Sequence, residues 1–220
     1  MFQSTRSLTG NFCASISFQA DLRLTYAFIH GLTTGEVRDC IARLRQLTSL
    51  ATMPTFIPAI LLEQRESTCR RSLTDCQSSI AKVESETGLR TQWWVLREKR
   101  IPKVTLPVLN TVDFEQITQD LTSASTKLAY VRYRCKTYLP ILDSMDQINK
   151  EAVENAPLDK KKDWEQAELY LSNMIGRLRA VMECTLARIA YQTARAEIQR
   201  QTVSKVDGYK DVDLTWLFYP

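Results

Sequence analysis

The chain has 220 residues, a formal net charge of +4, and apolar and charged fractions of 44% and 25%. This length suffices for one substantial domain, and this composition is that of an ordinary soluble protein. The charge excess is too small to indicate a nucleic-acid partner, since nucleic-acid-binding proteins concentrate basic residues on one face. His30 is the single histidine, which excludes a histidine-based metal cluster within one chain.

The first 32 residues differ from the rest of the chain. Polar and apolar residues alternate over 15–18 and 22–28, a period that predicts short β-strands. Two strands alone are marginal in water, so this N-terminal strand element (1–32) either joins further strands or lies along helices. The longest apolar run, 56–62, is far shorter than the roughly 20 residues of a membrane helix. We therefore expect no membrane span in this chain and a cytoplasmic location.

A short helix is predicted over 34–48. Thr33 and Glu36 have the spacing of a capping box, in which each side chain bonds the backbone NH of the other residue. Four apolar residues then recur at helical spacing and are expected to face the core: Val37, Ile41, Leu44 and Leu47. Met53 and Pro54 interrupt the pattern before the next element.

Three long helices follow, and each keeps an apolar seam at alternating three- and four-residue steps, the pattern of coiled-coil-like packing. The first is predicted over about 56–87, with Pro58 in its first turn and Gly88 as its C-terminal stop. Glu66 is the one poor fit to its seam. The other seam residues are Leu62, Cys69, Leu73, Cys76, Ile80, Val83 and Thr87.

The second long helix is predicted over about 113–152 and has the most regular seam. Asp113 is expected to cap its first turn while Gln116 reaches back, and Pro140 should kink it by removing one backbone hydrogen bond. The seam residues are Phe114, Ile117, Leu121, Ala124, Leu128, Val131, Cys135, Tyr138, Leu142 and Met145.

The third long helix is predicted over about 160–202, with a seam of Leu171, Ile175, Leu178, Met182, Thr185, Ile189, Gln192 and Ala196. Its weaker members, Thr185, Gln192 and Ala196, suit either contacts in a homo-oligomer or a frayed end. Asp207 and Gly208 indicate a turn, which begins an atypical apolar tail over 205–220. The fold is therefore predicted as mainly α, with long antiparallel helices in a helical domain over 33–204.

Two basic clusters are candidate binding sites. Trp93 and Trp94 precede Arg97, Lys99, Arg100 and Lys103, so they can stack on bases or lie at a membrane surface. They can equally cover the end of a helical bundle, which is the interpretation we prefer. The run 160–162 of three lysines lies at a predicted turn, where such charges are usually solvated.

Four acidic residues are the candidate metal ligands. Asp143 and Asp146 lie three apart on one predicted helix, and Glu151 and Glu154 repeat that spacing, so their oxygen atoms can bind Mg²⁺ weakly. The alternative is that these residues only solubilise the helix. No residue forms a recognisable catalytic motif, and no cofactor is expected. The six cysteines lack metal-site spacing, and we expect reduced cysteines, several of them in the core.

Several stretches resemble a known family. Phe56–Glu63, Ile80–Gly88, Asp113–Leu121 and Tyr191–Val203 resemble, in this order, the helical region of filamentous-fungal proteins of the CorA-like divalent-cation (Mg²⁺) transporter superfamily. The resemblance covers roughly residues 12–204. It implies that the strands are the end of a cytosolic α/β portion, and that the long helices are the soluble stalk, which oligomerises in that family.

This sequence departs from the family pattern in its membrane part. It contains neither the transmembrane helices nor the Gly-Met-Asn signature of the family, so no pore residue can be assigned. The resemblance therefore implies a truncated, non-catalytic soluble domain that does not transport cations alone, and membrane localisation only for a form carrying those helices. The alternative interpretation is a free-standing coiled-coil scaffold that binds protein partners.

Overall fold

The computed structural model describes residues 12–19, 24–87 and 113–210, with side chains to residue 204. Its strands are β1 (Cys13–Gln19) and β2 (Leu24–His30), and its helices are α1 (Thr34–Gln46), α2 (Phe56–Glu86), α3 (Phe114–Glu154) and α4 (Lys161–Lys210). Single 3₁₀ turns cover Thr48–Leu50 and Leu158–Lys160. The predicted mainly α fold with a small N-terminal strand element is confirmed.

The two strands form an antiparallel pair, here called the N-terminal sheet. Its register places Cys13 opposite His30 and Gln19 opposite Leu24. Side chains alternate between the faces of a strand, so Ala14, Ile16 and Phe18 share one face, and these three pack against the core of the helices. Of the two arrangements predicted for the strands, the described residues have the one in which they lie along helices.

The capping box at the start of α1 is confirmed. The Thr33 backbone NH donates to Glu36 Oε2 at 2.8 Å, and the Glu36 NH donates to Thr33 Oγ1 at 3.3 Å. The predicted buried face of α1 is only partly correct, because Val37 and Ile41 are 39% and 44% exposed. Cys40 is buried instead, one turn before the half-buried Leu44. A thiol packs as a small apolar group, and the prediction considered only larger apolar residues.

The predicted seam of α2 is buried along its whole length, from Leu62 to Thr87. Pro58 is the third residue of the helix, where its missing NH breaks no intrahelical bond. Glu66, the poor fit to the seam, is buried with the rest at 6% exposure. At the C-terminal end the Thr87 hydroxyl donates to the Val83 carbonyl at 2.9 Å. The predicted stop at Gly88 lies outside the described residues.

The seam of α3 is also buried, apart from the half-buried Tyr138. Asp113 caps the helix as predicted, because its Oδ1 accepts from the Gln116 backbone NH at 3.0 Å. The predicted return contact of Gln116 is wrong: its side-chain amide donates forward to Asp120 Oδ1 at 3.0 Å. The helix continues through Pro140 to Glu154 without interruption.

α4 is longer than predicted. It runs for 50 residues to Lys210, so the turn predicted at Asp207 and Gly208 is wrong. A glycine inside a helix costs only about 1 kcal/mol relative to alanine, too little to end a long helix. The weaker seam residues Thr185, Gln192 and Ala196 are 3%, 2% and 1% exposed. These side chains are buried within a single chain, so they are not available as contacts of a homo-oligomer. The tail beyond residue 210 lies outside the described residues.

The chain divides into two compact units. Unit 1 comprises Met1–Thr68 with Cys135–Glu183, and unit 2 comprises Cys69–Arg134 with Cys184–Pro220. Within unit 1, α3 and α4 run antiparallel, because Asp146 contacts Ser172 while the earlier Asp143 contacts the later Arg179.

Within unit 2, α2 and α4 run parallel, since the partner on α4 advances with the residue on α2. The three pairs are Gln77 with Arg188, Glu84 with Arg195, and Thr87 with Gln199. If consecutive long helices run antiparallel, as predicted, then the first and third, α2 and α4, must run parallel.

The core of unit 1 lies where the N-terminal sheet, α1 and parts of the three long helices meet. The ring of Phe18 packs edge-on against Trp164 with centroids 6.5 Å apart. None of the six cysteines is in a disulfide, and Cys40, Cys69, Cys76 and Cys135 are buried. Burial raises the pKa of the Cys40 and Cys76 thiols. No helix in the described ranges is long and apolar enough to cross a membrane.

Two leucines two positions apart on α4 provide a direct check of the packing. Leu171 is fully buried and Leu169 is 61% exposed. Leu171→Ala removes buried methyl groups and leaves a cavity, so we expect it to lower the free energy of unfolding by about 2–5 kcal/mol. Leu169→Ala, the matched control, should change it by less than about 0.5 kcal/mol. Urea unfolding followed by circular dichroism measures both, and equal effects of the two substitutions would contradict the assigned helix face.

Candidate interaction surface and polar contacts

The predicted acidic residues of α3 are held by cationic side chains of the chain itself. Asp143 Oδ1 accepts from Arg179 at 2.5 Å, and Asp146 accepts from Lys150 at 3.1 Å and from Ser172 at 2.9 Å. Burial alone would raise the pKa of Asp146, but the bonds from Lys150 and Ser172 outweigh it and lower the pKa. A divalent cation at Asp143 and Asp146 would have to compete with these contacts.

The other two predicted ligands lie further along α3. Glu151 accepts from Gln147 at 2.8 Å, and Glu154 is an exposed residue at the end of the helix. Within the described ranges, no three residues among histidine, cysteine, aspartate and glutamate lie close enough to hold a metal ion. Weak Mg²⁺ binding at these four acids therefore stays a prediction, and the geometry does not fit a resident cation.

A network of ion pairs joins α1, α2 and α4 within unit 1. Glu63 on α2 accepts from Arg43 of α1 at 3.1 Å and from Arg177 of α4. Arg65, which is 1% exposed, pairs with Glu36 at 3.3 Å, so one carboxylate both caps α1 and neutralises a buried guanidinium. The Arg65 guanidinium also lies 4.4 Å from the centre of the Phe12 ring, a cation–π contact.

A buried polar layer joins α2 and α4 within unit 2. The Arg195 guanidinium donates to both carboxylate oxygens of Glu84: Nε donates to Oε1 at 3.0 Å, and Nη2 donates to Oε2. Its Nη1 donates to the side-chain oxygen of Gln192 at 2.9 Å. The Glu84 side chain is 2% exposed, against 20% for Arg195. A two-point pair of this kind fixes one register, because a slip of either helix would leave the carboxylate buried and unpaired.

The outer face of the N-terminal sheet exposes three apolar side chains of β2 beside polar side chains of β1. On β2, Leu24, Tyr26 and Phe28 are 47%, 57% and 74% exposed, and on β1 they lie opposite Gln19, Ser17 and Ser15. Neither strand contains a lysine, arginine, aspartate, glutamate or proline. Exposed strand edges usually carry such residues, since they discourage pairing with other chains. In the part of the chain that the structure describes, this sheet therefore exposes apolar side chains of β2 and has two edges without a charged residue or proline.

The other sequence candidates have different outcomes. Trp93, Trp94 and the basic residues that follow lie outside the described residues. In the lysine run 160–162, Lys160 and Lys162 are exposed. The exposed His30 lies opposite Cys13 in the strand register, a proximity that spacing along the sequence did not indicate.

The outer face of the sheet was also missed, although its alternating pattern was visible. The sequence of β2 could have indicated it, because apolar residues occupy both faces of this strand and not only one.

Comparison with known proteins found no matching family model, no similar curated protein and no similar solved structure. The resemblance to CorA-like transporters therefore stays an expectation from the sequence.

The register role of the buried layer can be tested with a double-mutant cycle. We expect Arg195→Met to lower the free energy of unfolding by about 3 kcal/mol, because it leaves the Glu84 carboxylate buried without its partner. The double variant E84L/R195M should lose less than the sum of the two single variants. Arg200→Met, which removes the exposed pair with Glu197, is the control and should have little effect. Strict additivity in urea unfolding would contradict the role given to the pair.

Proposed function

We propose that this chain is a non-catalytic helical scaffold that binds protein surfaces, including a second copy of itself. The observation that carries the proposal is the difference, among the described residues, between acidic side chains that have partners and an apolar surface that is exposed. Asp143, Glu63 and Glu84 are each engaged by an arginine of the same chain. The outer face of the N-terminal sheet, in contrast, exposes Leu24, Tyr26 and Phe28.

The chemistry of this exposed surface favours a protein partner. Contiguous exposed apolar side chains mark interaction sites on folded proteins, and aromatic residues are enriched where proteins meet. The strands around Tyr26 and Phe28 carry no basic residue that could contact phosphate. The partner we propose is therefore another protein surface and not a nucleic acid. Cysteines without disulfides suit a reducing compartment, so we propose the cytoplasm.

The second candidate is the soluble stalk of a CorA-like transporter. Beside the resemblance, the 50-residue length of α4 favours it, about 75 Å of continuous helix at 1.5 Å per residue. In this candidate the chain serves as a support and does not itself transport cations. The two candidates differ in the response to Mg²⁺, because only the second is related to proteins that handle this cation.

Light scattering across a range of protein concentrations tests both candidates. We expect the mass to rise above the 25.3 kDa of one chain as the concentration increases. The rise should be the same in MgCl₂ and in NaCl of matched ionic strength, because Arg179 and Lys150 already hold Asp143 and Asp146.

Three results would change the proposal. A mass of one chain at every concentration would overturn self-association. A specific effect of millimolar Mg²⁺ on the mass or the melting temperature would favour the CorA-like candidate. If D143N/D146N abolished that effect while E165Q, at an exposed residue of α4, kept it, the predicted acidic residues would be the cation site.

A further inference from the structure

α4 carries a second seam, on its outer side. Six exposed residues of this helix recur at alternating steps of three and four, which is the spacing of a coiled-coil core. We call them the outer seam: Cys184, Ala187, Tyr191, Ala194, Ile198 and Gln201. Five of the six are apolar or small, and Tyr191 and Ile198 are 56% and 55% exposed.

The outer seam lies nearly opposite the buried seam of the same helix. Each of its middle members is two positions beyond a buried residue: Ala187 follows Thr185, Tyr191 follows Ile189, and Ala194 follows Gln192. Two residues correspond to roughly 200° around an α-helix. This stretch of α4 is therefore patterned to pack on two sides, although packing among the described residues of unit 2 accounts for only one.

We propose that the outer seam binds the outer seam of a second copy of this chain, with the two α4 helices side by side and parallel. This inference rests on the proposed self-association and assigns it to the outer seam, which leaves the outer face of the N-terminal sheet for a different protein partner. Both helices then contribute the same residues at each level, as a two-fold axis along the pair requires. The alanines at 187 and 194 let the backbones approach closely, while Tyr191 and Ile198 supply the apolar area.

The charges beside the outer seam favour this occupant and this direction. Glu183 lies on one side of the seam, whereas Arg188 lies on the other and, among the described residues, donates to the neutral Gln77. In a parallel pair, the residue just before one core position, here Cys184, lies beside the residue just after the next core position of the other helix, here Ala187. Glu183 of each copy then lies beside Arg188 of the other, which gives two opposite-charge contacts.

An antiparallel pair would lose these contacts. It brings the same side of both helices together, so that Arg188 lies near Arg195 of the other copy, and Arg195 is already held by Glu84. No acidic residue then faces Arg188 across the seam. The charges beside the outer seam therefore match those of a second copy in the parallel pair and not in the antiparallel pair.

Cys184 gives a test that needs no added label. In the parallel pair the two Cys184 thiols meet at the same level, where a disulfide can form if the Cα atoms come within roughly 4.4–6.8 Å. In the antiparallel pair each Cys184 faces the far end of the other seam, about 25 Å along the helix. The four buried cysteines, Cys40, Cys69, Cys76 and Cys135, cannot compete with the exposed Cys184 in the folded protein.

The experiment is mild oxidation of the full chain with copper phenanthroline and oxygen, followed by a non-reducing gel. Two thiols lose two protons and two electrons to the oxidant and form one disulfide. We expect a species of twice the chain mass at concentrations where light scattering shows self-association. The species should disappear in C184S, while C13S, which alters the half-buried cysteine of β1, should retain it.

Five further variants separate the outer seam from other surfaces. Ile198→Glu should abolish both the disulfide and the rise in mass, whereas Leu169→Glu, at an exposed leucine of the same helix, should preserve both. Arg188→Glu should reduce the cross-linked fraction, and E183R/R188E should restore it. F28S on the N-terminal sheet should leave it unchanged. Circular dichroism checks that each variant keeps its helical content.

The possible failures are distinguishable. A rise in mass without the Cys184 disulfide, or one that Ile198→Glu leaves intact, would overturn the outer seam while leaving self-association in place. A single-chain mass at all concentrations would overturn both. A disulfide that persists when E183R/R188E and Ile198→Glu are combined would assign the cross-link to random collision and contradict the parallel pair.

Discussion

Burial of one narrow stripe on each long helix is the constraint on which the rest of the structure depends. A seam of alternating three- and four-residue steps covers only a small part of the surface of a helix, so each helix must keep that part turned inward over its whole length. Leu73, Leu128 and Leu171 are examples from the three helices, and each is fully buried. On each long helix the side chains opposite the seam are consequently exposed, and on α4 they include the outer seam.

The three seams differ in how much polarity they contain, and the difference has a physical meaning. The seam of α3 is mostly apolar, and the helix buries polar side chains only beside or beyond it, at Arg134 and Asn149. α2 and α4 also bury Glu84, Gln192 and Gln199, whose partners are available in only one register. Replacing apolar contacts with hydrogen bonds often gains little stability, but a misaligned pairing then leaves polar groups unpaired. In unit 2, polar residues thus select among arrangements that the apolar residues alone would permit.

The periodic part of the fold could be predicted from the sequence, whereas the pairing of side chains could not. Periodicity predicted every long seam, because the spacing of apolar residues is a local property of the chain. Cross-helix partners such as Glu84 and Arg195 are far apart in sequence, and nothing local connects them. The face of α1 was misjudged for another reason: a short helix offers few turns, so one small buried residue, Cys40, decides its rotation.

The candidate surfaces show the same division. The outer face of the N-terminal sheet was not predicted, because alternating strands are normally assumed to bury their apolar side, and β2 has apolar residues on both sides. The acidic residues Asp143 and Asp146 were correctly placed on one helix, but their partner Arg179 lies on another. Whether a carboxylate is available to a cation depends on that partner, which spacing within a single helix cannot reveal.

The contact between Phe18 and Trp164 has a consequence for how the chain is made. The strand that carries Phe18 leaves the ribosome long before the helix that carries Trp164, and chain elongation proceeds at roughly 5–20 residues per second. For several seconds at least, Phe18 on the inner face of the N-terminal sheet is without its Trp164 partner, and neither strand has a charged residue to discourage contact with other nascent chains. Synthesis speed and chaperone supply should therefore influence the yield of this protein.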